Sequence, residues 1–226
     1  MTGRLQLDAE LIDGAARDRV WVRGPDAASY LQSQLSQELR DLDVGGERWT
    51  FVLDPTGKVD ALARIGRVAD DEFLLDTDAA YGEVLAARLQ RFKIRVAADI
   101  EVVAAERPAP DDEHESARIA AGWPRMGHEI VPGETIPATT GVTARAVSFT
   151  KGCYPGQELV ERMDSRGADA PRTLRIVELD AGAAPGDPVV DDTGAEVGVI
   201  TSVGPDGTLG LASVKRGATP RNLRQS

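Results

Sequence analysis

The chain has 226 residues, 42% hydrophobic and 28% charged, with 37 acids against 26 lysines and arginines and a net charge of -11. These proportions belong to a globular protein with room for one large domain or two to three small ones, and the charge disfavours nucleic acid and anionic membrane as partners. No run of 18 apolar residues offers a membrane span and no basic-then-apolar leader opens the chain, so a cytoplasmic protein is expected. A single cysteine leaves no internal disulfide.

In chain order, residues 18–23 alternate as a strand with Val20 and Val22 on one face. Gly24-Pro25-Asp26 then starts a helix, proline suiting its first turn and the acid its positive end, with Ala28, Leu31, Leu35 and Leu39 as the apolar stripe. Residues 49–53 and 58–67 read as two strands joined by an Asp54-Pro55-Thr56-Gly57 turn. Val59, Ala61, Ala63 and Ile65 share one face, and Asp60 points to the other.

Residues 72–75 make a further strand, after which Thr77 or Asp78 caps a helix running to about Arg91. Its inward stripe is Tyr81, Val84, Leu85, Arg88, Leu89 and Phe92, Arg88 being the one polar interruption. Residues 94–103, rich in valine and isoleucine, read as a strand. Strands and helices at this density imply an α+β fold of antiparallel sheets with packed helices. Residues 106–115 carry two prolines and five acids and read as a linker. After Arg172, short apolar runs separated by Gly, Pro and Asp turns imply a small C-terminal antiparallel β-barrel.

The densest chemistry lies at Lys151-Gly152-Cys153-Tyr154-Pro155-Gly156-Gln157-Glu158. Two glycines admit positive φ or close approach by a ligand, and Pro155 fixes its own φ between them, so the loop is shaped. In an extended segment Lys151 and Cys153 share a face, where an ammonium favours the thiolate; a buried, inert cysteine in a tight turn is the competing reading. Gln157 and Glu158 supply the amide and carboxylate that a flat heterocycle with donors and acceptors needs. Arg162 and Arg166 add local cations for an anionic ligand, and solvated surface charge is the plainer account of them. Trp21, Trp49, Trp123 and Tyr154 offer stacking faces, although core packing is the commoner use of such rings. One thiol and the two histidines, His114 and His128, are too few for a structural metal site, so no metal is expected from this chain alone.

The octet, followed by Arg162, Met163 and Arg166-Gly167, resembles the signature of the YgfZ-type folate-binding proteins, relatives of the glycine cleavage T-protein. Gly24-Pro25-Asp26-Ala27, Leu31-Gln32-Ser33-Gln34-Leu35 and the 118–124 segment are similar to further family patterns. The resemblance implies a T-protein-like folate-binding fold and tetrahydrofolate, or a one-carbon derivative, as cofactor. It implies support of iron-sulfur cluster assembly or repair, with iron-sulfur proteins or their assembly machinery as partners beside folate. It assigns the functional roles to Lys151 and Cys153, with Tyr154, Gln157, Glu158, Arg162, Arg166, Asp60 and Trp123 around the folate. The alternative it carries is a tetrahydrofolate-dependent aminomethyltransferase, weakened because Ala61 stands where T-proteins place a catalytic aspartate and Thr139 or Thr140 where they place a glutamate. The expected division is an N-terminal α+β part (1–105), an acidic linker (106–117), a signature segment completing the folate-binding part (118–170) and the barrel (171–226).

Overall fold

The computed structural model describes residues 17–106, 110–165 and 170–224. A five-stranded antiparallel sheet in the order β2-β3-β4-β1-β5 organises the N-terminal part. Its strands are β1 (Arg17–Arg23), β2 (Glu47–Leu53), β3 (Val59–Ala69), β4 (Glu72–Asp78) and β5 (Asp99–Val103). One face is covered by α1 (Ala27–Gln34) and α2 (Gly82–Arg91), whose Leu31, Leu85 and Leu89 bury against Val20, Val22, Ala63 and Ile65. The other face packs Phe51 and Leu62 under the 123–160 segment, where Trp123, Met126, Ile130, Val142 and Tyr154 form a second core. A sheet covered on both faces explains why β2 is buried at every residue from Trp49 to Leu53.

Several local expectations change in this context. Helix α1 is shorter than its stripe: Ala27, Tyr30 and Leu31 face inward, Ala28 is exposed, and Leu35 and Leu39 are buried from the extended chain beyond. Thr77 and Asp78 belong to β4 and do not cap α2; the Asp18 carboxylate from β1 takes the Gly82 N–H at 2.8 Å. Only Asp99–Val103 of the expected 94–103 strand pairs. Residues 112–117 of the expected linker lie in α3 (Asp112–Ala120), capped by Asp111 and tied down by Glu115, which pairs with Arg118 at 2.6 Å and Arg125 at 3.0 Å.

Two short helices, α4 (Thr143–Ala146) and α5 (Gln157–Ser165), flank the signature loop. The C-terminal strands β6 (Arg172–Glu178), β7 (Pro188–Val190), β8 (Glu196–Val203) and β9 (Leu209–Lys215) form an antiparallel sheet in the order β6-β9-β8-β7. Among the described residues β6 and β7 do not pair to close the expected barrel. The tail spans the gap instead: Arg221 N–H donates to Val190 O at 2.9 Å, and Leu223 bridges to Val177.

Candidate functional site

The site is built on the end of α1. A helix leaves its last carbonyls without intrahelical donors, and here the chain turns extended at Leu35, so Ser36 N–H goes to Phe51 O of β2. The Lys151 ammonium fills the gap. It donates to Gln32 O at 2.8 Å, to Leu35 O, and to Gln37 O at 3.0 Å, which places a cation on the negative end of the helix. Lys151 is 6% exposed, with the Tyr154 ring centroid 5.2 Å from its nitrogen. Burial pushes its pKa down to about 8, opposed by Glu38 and reinforced by Arg40.

The loop that carries Lys151 is locked to the β2–β3 turn by two glycines. A Cβ on Gly156 (φ 80°) would stand 2.6 Å from Asp54 O and 2.7 Å from Gly57 Cα; one on Gly57 (φ 89°) would stand 2.5 Å from Leu159 Cβ. Only glycine tolerates both the left-handed backbone and this approach. Asp54 shapes the turn by accepting from Thr56 N and Lys58 N at 2.8 and 2.9 Å. Burial raises its pKa, but those donors outweigh it and hold the carboxylate below its usual range.

Beyond the turn, Val52 pairs with Ala61 and Leu53 with Val59, which leaves Asp60 as the extra residue of a β-bulge. The bulge shifts the alternation. Val59 joins the second core while Ala61 stays in the first, and Asp60 turns toward α2, where its carboxylate lies 3.4 Å from Arg88 Nε. Arg88 also donates to Leu53 O at 2.8 Å and to Gln34 Oε1 at 3.3 Å, and its Nη2 is a buried donor with no acceptor. Burial raises the Asp60 pKa, Asp54 adding to it, and burial lowers that of Arg88, so desolvation outweighs the attraction of the loose pair. Perturbed groups with an unfilled donor mark a functional-site candidate.

The end of α1 therefore gathers the signature loop through Lys151 and the Asp60–Arg88 pair through Gln34. Cys153 is a free, exposed thiol. The shared face expected for Lys151 and Cys153 does not occur, because the lysine is buried in the carbonyls while the cysteine faces out. The cation beside the loop is Arg40, whose Nη2 lies 4.0 Å from the position of a Cβ on Gly152. Gly156 has positive φ and Gly152 does not.

Tyr154 is buried, and burial pushes its pKa up to about 12, with the Glu161 charge adding to the rise. Trp123 is buried against Trp49, with centroids 4.6 Å apart and the Arg145 guanidinium 5.2 Å from its ring, so no heterocycle slides between these groups. Gln157 opens α5 and donates to Glu161 at 2.5 Å; Glu158 and Arg162 are exposed on the same helix, and Arg166 lies outside the described residues. His128 accepts from Arg125 at 2.5 Å, within the ion-pair network around α3. Among the described residues no group of three or more metal-ligating side chains forms, and no helix is long and apolar enough to cross a membrane.

Sequence reasoning passed over Arg40, Gln37 and the carbonyls of the Leu31–Leu35 motif. Arg88 was legible as the polar interruption of an apolar stripe. A separate apolar cavity of about 350 Å³ lies between Pro137, Phe149, Val160, Met163 and Thr173, and none of the expected site residues among those described lines it.

No protein-family model matches the chain. It is 27% identical over 225 residues to an iron-sulfur cluster assembly factor IBA57 homolog, mitochondrial, of Pyricularia oryzae, covering 75% of this chain and 58% of the relative. It is 34% identical over 118 residues to the tRNA-modifying protein YgfZ of Serratia proteamaculans, covering 51% of this chain and 31% of the relative. The chain thus spans less than two thirds of these curated relatives. Its fold is similar to that of the glycine cleavage system aminomethyltransferase T of Bartonella henselae, with a TM-score of 0.73 at 15% identity, covering 92% of this chain and 81% of that one.

Proposed function

We propose, from the premise that this chain belongs to the YgfZ-type family of T-protein relatives, that it is a tetrahydrofolate-binding protein supporting iron-sulfur cluster assembly or repair, in a reducing compartment such as the cytoplasm. The observation that carries the reading is the division of labour in the signature loop. Lys151 and the Gly57–Gly156 contact hold the backbone rigid, and Cys153 stands free on the outside. A preorganised, exposed thiol suits transient contact with a cluster or with a client protein's sulfur.

For the folate, the chemistry of the Asp60–Arg88–Gln34 cluster fits. Arg88 Nη2 would donate to a carbonyl or carboxylate of the ligand, and Asp60 and Gln34 would accept from an amino group. The cofactor would bring a one-carbon carrier; the chain's own residues would bind and orient it. Aminomethyl transfer is the less supported alternative, because Ala61, fully buried in the first core, offers no carboxylate.

Two measurements test the reading. Calorimetric titration with tetrahydrofolate should saturate below millimolar and weaken in Arg88→Met; no saturable binding at millimolar folate removes the cofactor assignment. Repair of a cluster enzyme in cells lacking the protein should be restored by the wild type and not by Cys153→Ala, and restoration by the alanine variant removes the thiol from the function.

A further inference from the structure

The strongest unabsorbed feature is the five-residue knuckle Arg91-Phe92-Lys93-Ile94-Arg95 at the C-terminal end of α2. In a chain of net charge -11, the stretch 84–98 holds four cations, Arg88, Arg91, Lys93 and Arg95, and no acid. Elsewhere arginines such as Arg17, Arg64, Arg118 and Arg125 are matched with carboxylates. Arg91, Lys93 and Arg95 form no ion pair among the described residues. Between Lys93 and Arg95 in the chain, Ile94 is 76% exposed, more than any other large apolar side chain among the described residues.

The knuckle is held in this shape. Phe92 N, Lys93 N and Ile94 N donate to Leu89 O, Gln90 O and Phe92 O at 3.2, 3.1 and 3.1 Å, which winds the helix end into a tight turn. The guanidinium carbons of Arg88 and Arg91, on the helix side of the knuckle, lie 4.1 and 5.7 Å from the Phe92 ring centroid. On the other side Ala97 is pinned to the start of α1, its N–H donating to Asp26 Oδ2 at 2.7 Å and its carbonyl accepting from Asp26 N at 3.2 Å. Arg95 sits at φ 56°, a left-handed conformation that a bulky residue adopts only when its surroundings impose it. The helix dipole accounts for cations at the end of α2. It does not account for an isoleucine held outward among them or for the strained residue that follows.

We propose that this knuckle is a docking site for an acidic segment of a partner protein, a short stretch in which carboxylates surround an apolar side chain. Ile94 enters the apolar contact, and Arg91, Lys93 and Arg95 pair with the carboxylates around it, the arrangement of an apolar core with a charged rim found in protein interfaces. The charge balance selects this occupant. A nucleic acid or an anionic membrane extends far beyond the knuckle and meets the remaining negative surface, whereas a short segment lies within about one Debye length, roughly 8 Å, of the cations. One exposed isoleucine is also too little apolar surface to hold a bilayer. Arg91 is close enough to Asp60 and Arg88 to influence their ionisation, so a docked partner would lie at the edge of the candidate site.

The test is fluorescence anisotropy with a labelled Asp-Glu-Leu-Phe-Glu-Asp peptide, beside a single-stranded RNA and phosphatidylglycerol vesicles, on the full chain. The peptide should bind saturably and weaken at least about tenfold in the double variant Lys93→Glu, Arg95→Glu and about fivefold in Ile94→Ser. A peptide with serine in place of Leu and Phe should bind weakly and be indifferent to Ile94→Ser, since the apolar contact is then already lost. Ile94 and Arg95 are exposed and Lys93 is half-buried, and unchanged circular dichroism establishes that the variants are folded. No saturable peptide binding to millimolar concentration, equal binding by the variants, or tighter binding of RNA or vesicles than of peptide overturns the proposal.

Discussion

Replacing Lys151 with methionine keeps the length of the side chain and removes the donor that ends α1. Three carbonyls then lose their partner: Gln32 O, Leu35 O and Gln37 O. A buried acceptor left without a donor costs about 1–3 kcal/mol. Gln32 and Gln37 are half-buried, and water takes part of their loss, while Leu35 is fully buried and bears the whole of it. Relief of the charge burial acts in the opposite direction, and the net destabilisation expected is about 3 kcal/mol. In a chain of this size that lowers Tm by about 6–12 °C.

The pH dependence has a definite sign. Burial lowers the Lys151 pKa from 10.5 to about 8, so between these values the unfolded chain binds more protons than the folded one and the wild type gains stability as pH rises. Methionine has no proton to bind. The stability difference between wild type and Lys151→Met therefore widens from pH 8 to pH 10.5, other titrating groups cancelling between the two. Urea unfolding of both chains across that range is the assay. A difference under about 0.5 kcal/mol at pH 7, well below the cost of one unsatisfied carbonyl, or one that narrows with pH, refutes Lys151 as the buried cap of α1.

Gly156→Ala and Gly57→Ala should each cost more than about 2 kcal/mol, since each adds a Cβ within 2.7 Å of a neighbour at positive φ; urea midpoints shifted by less than half that amount would show that the loop does not rest on the turn. Native Cys153 should react with maleimide at the rate of an open thiol, because its side chain is exposed, and protection that persists until the chain unfolds contradicts the placement of the loop. The His128 pKa is lowered by burial and then by Arg125, so below 6.5 the unfolded chain takes up the proton more readily and stability falls with pH. In His128→Gln that part of the acid sensitivity should be gone, and Tm profiles of equal slope for the two chains would rule it out.

Features written in neighbouring residues were legible without a structure. The β2–β3 hairpin follows from Asp54-Pro55-Thr56-Gly57 between apolar strands, and β1 follows from its alternation, because turn chemistry and period-two burial act over a few residues. The signature octet marked the loop that carries the chain's one thiol, which is exposed. Other features depended on partners far along the chain. Helix α1 stops at Gln34, although its apolar stripe continues, because Lys151, more than a hundred residues away, takes the carbonyls at its end. The side chain of Asp60 is turned by a bulge, which slips the register where strict alternation sends it to the opposite face. Trp123, equally suited by its chemistry to a ligand or to a core, is committed by Trp49 from β2. The acidic stretch at Glu115 became helix because Arg118 and Arg125 neutralise it. Local pattern decides which elements form; where a helix ends, which way a carboxylate points and whether a ring is buried depend on contacts between residues distant in sequence, which periodicity does not encode.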